Sequence, residues 1–338
     1  MHPIIRAALS AVAVALTVAA CGGDEPERGA EAQAPGDEAA FPVTIEHKFG
    51  STEIESPPER VVTVGYTEQD VVLALGVTPV GTREFLGGYA YRERPWAQEA
   101  LGGADPAVVG AEEINFERVA AQRPDLIIGV NSGMKQSDYK TLSRIAPTVA
   151  QTDDFIDFGV PWQEQTLTIG RALGREQQAE QLVDDVEERF AQVREEHPEL
   201  VGSSLIMAYG TKGDFGAHSS QDYRLGFFQD LGLESPEQVD NLAGESFFVD
   251  FDEEHFRLLE QDVVVMFGKR DDVTADPVFR RLDAVEEERV VYLDLEDQFA
   301  GALGFSSPLS LPYLIDEAVP KLARAVDGDP ATKAPEPK

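Results

Sequence analysis

Apolar residues in this chain recur in two patterns that alternate along its length. Short unbroken runs, several of them β-branched, read as buried strands: Val61-Val62-Thr63-Val64, Leu126-Ile127-Ile128, Leu205-Ile206-Met207-Ala208-Tyr209, Val263-Val264-Val265-Met266 and Val290-Val291-Tyr292-Leu293. Between them lie segments with apolar residues three or four positions apart, the spacing of one helical face. They predict helices over Glu68–Leu75, Phe116–Gln122, Tyr139–Ile145, Pro161–Leu173, Tyr223–Leu231, Glu253–Glu260, Val278–Leu282 and Leu311–Val326. Val43–Ile54 reads as a strand pair around Lys48-Phe49-Gly50-Ser51, and short strands are expected at Thr78–Gly81 and Pro147–Val149. Strands and helices in alternation specify an α/β fold.

The longest periodic stretch, Glu176–His197, carries Ala179, Leu182, Val183, Val186, Phe190 and Val193 on one face, and Pro198 ends it. At 1.5 Å per residue it makes a rod of roughly 33 Å. The halves on either side share a grammar. Glu117 precedes Asp125 by eight residues and Glu254 precedes Asp262 by eight, and each aspartate leads directly into an apolar strand. Leu75-Gly76 and Leu231-Gly232 close corresponding helices, glycine standing where a left-handed residue ends a helix. Two similar lobes joined by a rod are therefore expected, with a ligand cleft between them at the carboxyl ends of the strands.

The first residues follow neither pattern. Arg6 precedes an apolar stretch from Ala7 to Ala20, broken only by Ser10 and Thr17. It is shorter than the ~20 residues of a membrane span but suits a secretory signal. It ends at Val18-Ala19-Ala20-Cys21-Gly22, around the single cysteine of the chain, and resembles the bacterial lipobox, which implies lipidation of Cys21. Residues 22–40 are rich in Gly, Pro, Ala and acid and lack aromatic residues before Phe41, the composition of a disordered tether.

Composition narrows the function classes. The net charge of −34 opposes nucleic-acid binding, which needs a positive footprint. With one cysteine no internal disulfide can form. The sequence contains no G-x-S-x-G elbow, Walker loop or G-x-G-x-x-G after a strand, and its five histidines lack metal-ligand spacing. No catalytic residue, no cofactor and no direct metal ligand are assigned. At the expected strand ends stand Tyr66, Arg83, Phe85, Asn131 and Ser132 in the first lobe, and Tyr209, Lys212, Phe215, Phe267, Arg270 and Phe299 in the second, with Tyr223 and Arg224 nearby. Tyr89, Tyr91, Arg92, Arg94 and Trp96 add an aromatic and arginine cluster to an acidic protein. Arginine forks suit anionic oxygens and rings give rigid apolar walls. The ligand-binding set is thus Tyr66, Arg83, Tyr89, Tyr91, Arg92, Trp96, Tyr209, Arg224 and Arg270.

Several stretches carry a family resemblance: Ser56-Pro57-Pro58-Glu59-Arg60-Val61-Val62, Ala74-Leu75-Gly76-Val77-Thr78-Pro79-Val80-Gly81, Asn115-Phe116-Glu117-Arg118, Pro124-Asp125-Leu126-Ile127-Ile128 and Ser307-Pro308-Leu309-Ser310-Leu311-Pro312-Tyr313. Over residues 41–326 the chain resembles the substrate-binding proteins of ABC importers for ferric siderophores, haem and cobalamin. The resemblance implies two Rossmann-like lobes, 41–174 and 198–327, bridged by one long helix at 175–197, with limited closure on binding and a frayed tail at 328–338. It implies a lipoprotein on the outer face of the cytoplasmic membrane, its signal peptide ending at Cys21, the lipid its sole membrane attachment. Such a protein, expected as a monomer, captures a ferric siderophore, the iron held indirectly through the chelator, and docks on a permease dimer through Glu117 and Glu254. Haem or cobalamin as ligand, or a membrane-anchored ligand sensor, are the alternatives.

Overall fold

In the computed structural model, which describes residues 40–84, 94–211, 213–295 and 297–327 (backbone alone at Glu253), the apolar runs become two five-stranded sheets. The chain enters through an antiparallel hairpin, β1 (Val43–His47) and β2 (Gly50–Ile54). The first sheet follows: β3 (Val61–Thr63), β4 (Gly81–Arg83), β5 (Ala107–Gly110), β6 (Leu126–Gly129) and β7 (Thr148–Ala150). All its pairings are parallel, in the spatial order β5-β4-β3-β6-β7. The second comprises β8 (Leu205–Thr211), β9 (Asp214–His218), β10 (Phe248–Phe251), β11 (Val263–Phe267) and β12 (Val290–Leu293). Its order, β10-β9-β8-β11-β12, repeats that of the first, and only β9 runs backwards.

Both sheets are covered on both faces, which is why their strands are continuously apolar. Side chains alternate between the faces. Val61, Leu126 and Ile128 join one core of the first lobe, and Val62 and Ile127 the other. Met207, Val263 and Val265 fill one core of the second lobe, and Ile206, Val264 and Met266 the other.

The internal repeat has a physical basis. Asp125 accepts hydrogen bonds from the backbone N–H groups of Glu59 and Arg60 at 2.9 and 2.8 Å, just ahead of β3. Asp262 accepts from the backbone N–H and the hydroxyl of Ser204, both at 2.8 Å, just ahead of β8. Each aspartate thus ties the strand it precedes to the central strand of its sheet. The helices Glu68–Ala74 and Leu225–Asp230 also end alike. Gly76 and Gly232 adopt φ of +72° and +92°, and the next residue bonds back to Val72 or Phe228 at 3.0 Å.

The long helix, Glu176–Glu196, belongs to both lobes. Ala179 packs into a first-lobe core, whereas Val183, Val186, Phe190 and Val193 pack into the second. The helix before it, Trp162–Ala172, is shared likewise: Ile169 and Ala172 face the first core, Trp162 the second. The two helices meet at Gly170, where a Cβ would lie 2.3 Å from that of Ala179.

Five local expectations change. The helix expected over Tyr139–Ile145 is Gln136–Leu142, because Asp138 accepts the Lys135 N–H at 3.0 Å and starts it earlier. Glu253–Leu259 and Phe279–Arg281 are tight 3-10 turns, each opened by an aspartate, Asp252 or Asp276, that accepts two backbone N–H groups. The Gly-rich segment after Tyr209, which its composition alone would make a loop, forms a hairpin between β8 and β9. Gly216 in β9 passes under the Tyr209 ring, where a Cβ would stand 2.1 Å from the hydroxyl. The strand expected from Thr78 begins at Gly81. Among the described residues no helix is long and apolar enough to cross a membrane.

Phe190 is 1% exposed and meets the Phe227 ring edge-on at 5.8 Å. Phe190→Ala should lower the unfolding free energy by about 3–5 kcal/mol, read from urea titration; a loss under ~1 kcal/mol would show that the rod is not part of the second core.

Candidate ligand-binding site

Tyr66 and Asn131 stand just beyond the carboxyl ends of β3 and β6, and the buried polar residues behind them determine where they point. Glu68 is wholly buried and folds back so far that a Cβ on Gly65 would lie 1.9 Å from its Oε1. Its carboxylate accepts the backbone N–H of Asn131 at 2.5 Å and of Thr67 at 3.1 Å. The Asn131 amide donates to Thr67 Oγ1 at 3.0 Å, which donates to Gln165 Oε1 at 2.9 Å. Gln165 in turn donates to the Val160 carbonyl, also at 2.9 Å. Burial raises the Glu68 pKa, opposed by these backbone hydrogen bonds and by the charge of Arg83.

Between the lobes lies a cavity of about 360 Å³. Tyr66, Asn131 and Phe158 line it from the first lobe; Phe247, Phe267, Leu295, Ala300 and the segment Asp222-Tyr223-Arg224 line it from the second. Phe158 links the two walls, its ring centre 6.0 Å from Tyr66 and 6.5 Å from Phe247. It takes φ of +63° and presses on Gly133, where a Cβ would fall 2.4 Å from the ring. A second hollow of about 580 Å³ adjoins, sharing Arg224, Phe247, Phe267 and Leu295 and adding Tyr209, His218 and Asp250.

The polar group of the second wall is internally matched. Asp222 takes Arg224 Nε at 2.9 Å and Nη2 at 2.5 Å, and its Oδ2 lies 2.9 Å from His218 Nδ1. Burial alone would raise the Asp222 pKa, but the Arg224 charge and hydrogen bonds from Arg224 and His218 overcome it, holding the carboxyl well below its usual range. Burial likewise depresses His218, favouring the neutral imidazole, with Asp222 opposing. Burial pushes the Tyr223 hydroxyl up, and it donates to the Gly304 carbonyl.

The residues expected at the site are distributed unevenly. Tyr66 and Arg224 line the main cavity and Tyr209 the adjoining one, where its hydroxyl donates to Asp250 at 2.6 Å. Arg83 lies behind the wall, 5% exposed. Its five N–H groups donate to the carbonyls of Ala111, Val64, Ser132 and Glu112 and to the Tyr66 hydroxyl, so none remains for a ligand. Trp96 sits at the lobe junction, donating to Asp70 at 2.8 Å and packing on Phe305 and Tyr313. Arg270 lies 5.3 Å over Tyr292 in a separate groove with Lys321 and Arg324. Tyr89, Tyr91, Arg92, Phe85, Lys212 and Cys21 fall outside the described residues. Phe158, Phe247 and Asp222 escaped sequence reasoning because they lie in loops without periodicity; the doublet Phe247-Phe248 after the polar Glu245-Ser246 was the one available signal. Among the described residues no group of three or more His, Cys, Asp or Glu is placed to hold a metal ion.

Glu117 and Glu254 occupy equivalent positions. Each is exposed and second in its turn, after a capping Asn115 or Asp252 that accepts backbone N–H groups. The two turns follow β5 and β10, which hold the same place in their sheets.

The model of the periplasmic binding protein family matches residues 61–296, and the chain belongs to that family. The ferric-anguibactin-binding protein FatB of Vibrio anguillarum is 25% identical over 299 residues, covering 82% of this chain and 87% of that one. A periplasmic solute binding protein from Mycobacterium smegmatis is 36% identical, with a TM-score of 0.74 over 84% of this chain and 98% of its own. The PiaA protein of Streptococcus pneumoniae TIGR4, solved with ferrichrome, is 27% identical, with a TM-score of 0.76 over 85% of this chain and 99% of its own.

The Asp222 shift has a signed consequence. Its folded pKa lies below the ordinary 3.8, so it contributes stability above about pH 4 that is lost as the pH falls toward the folded value. Asp222→Asn should flatten the fall in urea stability between about pH 4 and about pH 2; equal acid slopes in both proteins would contradict the assignment.

Proposed function

We propose that this chain captures a ferric siderophore outside the cell membrane and hands it to the permease of an ABC importer. The observation that carries this reading is the aromatic-walled cavity closed by carboxyl-end loops of both lobes, in a family whose members include ferric-siderophore binders. Iron is cargo, its coordination shell filled by the chelator, so the protein needs rings and hydrogen-bond donors rather than metal ligands. Tyr66, Phe158, Phe247 and Phe267 hold the body of the chelate, while Arg224 meets its oxygens. Arg83 acts indirectly: it fixes the Tyr66 hydroxyl at 2.6 Å and stacks 4.0 Å from its ring. No bond is made or broken in the cargo, and the protein acts as a carrier, not an enzyme.

Delivery uses the outer rim. Glu117 and Glu254 offer one carboxylate per lobe at matched places, as a two-fold permease requires of a protein with two similar halves. A diacylglyceryl group at Cys21 supplies the chains that stable anchoring needs, and residues 22–40 serve as its tether. The carrier works as a monomer.

Isothermal titration with ferric siderophores, haem and cobalamin tests the capture step. At least one ferric siderophore should bind at micromolar strength or better, and silence across the panel would end the proposal. The double variant Glu117→Arg with Glu254→Arg should abolish uptake of the bound chelate in cells while titration shows the same affinity. Weakened binding by that variant would remove the docking role.

A further inference from the structure

We infer that the cleft selects ferric chelates of no net charge over anionic ones; this rests on the capture reading and names its substrate class. Among the described residues, the two adjoining hollows carry two cations, Arg224 and Lys269, and three carboxylates, Asp222, Asp250 and Asp272. The described lining therefore holds no surplus of positive charge. Lys269 is 3.4 Å from Asp294, and the guanidinium of Arg224 is gripped by both oxygens of Asp222. Arg83, the other guanidinium near this wall, is buried with every donor committed inside the lobe. Beyond the cleft the field is that of a chain with net charge −34, which repels anions at a distance.

An anionic chelate entering this site would leave water for aromatic walls and find no uncompensated cation among the described residues. A neutral one loses little on desolvation and gains the ring surface. It can also accept hydrogen bonds from Arg224, whose Nη1 group meets no acceptor among the described residues while Nε and Nη2 are held by Asp222. The arginine thus offers N–H groups whose charge is already balanced. Coordination chemistry divides chelates along this line. Three singly charged hydroxamates cancel the charge of a ferric ion, whereas three doubly charged catecholates leave a trianion.

The test is titration of the full chain, by intrinsic fluorescence, with ferrichrome as the neutral tris-hydroxamate and ferric enterobactin as the tris-catecholate trianion. Ferrichrome should bind at least about tenfold tighter. Leu295→Lys places a cation at the rim, where the side chain is 61% exposed and its replacement does not disturb a core. It should narrow the ratio of the two affinities by about tenfold, and Asp222→Asn, which uncovers the Arg224 charge, should move it the same way. A trianion that binds the unaltered protein as tightly as ferrichrome overturns the inference while leaving capture intact. A ratio unmoved by Leu295→Lys overturns its electrostatic cause. Binding of no ferric chelate of any class removes the capture reading itself, and selectivity with it.

Discussion

The ion pair between Asp70 and Arg94 is sealed inside the protein, both side chains at most 1% exposed, and it fixes how the lobes meet. A charge in such a place is tolerated only when paired and fully hydrogen-bonded. Asp70 satisfies that condition by gathering groups from distant parts of the chain: Arg94 at 2.5 Å, the Trp96 indole at 2.8 Å and the Ser307 hydroxyl at 3.3 Å. Burial still raises its pKa against the pull of Arg94. Arg94 also stacks 4.1 Å from the Phe305 ring, so the second lobe is held by a face and a hydroxyl at once. Any other seating of the lobes would cost Asp70 the Ser307 hydroxyl and Arg94 the Phe305 ring. The arrangement favours one register over alternatives of similar apolar burial, and the cleft inherits its shape from that choice.

The same use of charge recurs through the molecule. In a strongly acidic chain, the arginines near the cleft serve mainly as internal braces. Arg83 ties the loops after β3, β5 and β6 through their carbonyls, and Arg224 is bound to Asp222 before any ligand arrives. Arg83 is a buried cation whose neighbours complete its donor set, as low-dielectric surroundings demand, whereas the half-buried Arg224 commits only Nε and Nη2 to Asp222. The surface that remains for a ligand is therefore mostly ring and backbone. Its polarity comes from single edges of groups whose other edges are committed.

That commitment explains what could and could not be read from the residues in order. The alternation of strand and helix, the rod and the doubled lobe were legible because burial imposes periods, and because Asp125 with Asp262 and Gly76 with Gly232 perform one task twice. The reversed β9 was not, since Gly213 and Gly216 read as a loop until the Tyr209 ring that lies over Gly216 is known. Arg83 and Trp96 resembled ligand contacts because composition cannot tell a free donor from one facing a carbonyl or a buried aspartate. Phe158 shows the opposite failure. Its place in the cleft depends on a left-handed backbone and on Gly133 leaving room for the ring, conditions with no periodic signature.

The frame also limits how a ligand can enter. The long helix gives Ala179 to one core and Val183 through Val193 to the other, and its neighbour divides Ile169 and Trp162 in the same way. Swinging the lobes widely apart would draw these side chains out of one core. Each ~100 Å² of apolar area exposed costs ~2.5 kcal/mol, so two such patches would hold the open form below about one molecule in a thousand. The residues at the mouth are differently placed. Leu295 and Phe248 line the hollows yet are 61% and 40% exposed, with no core to leave. Entry through an adaptable rim into a fixed frame requires less than a wide hinge, and it assigns discrimination between ligands to the residues at that rim.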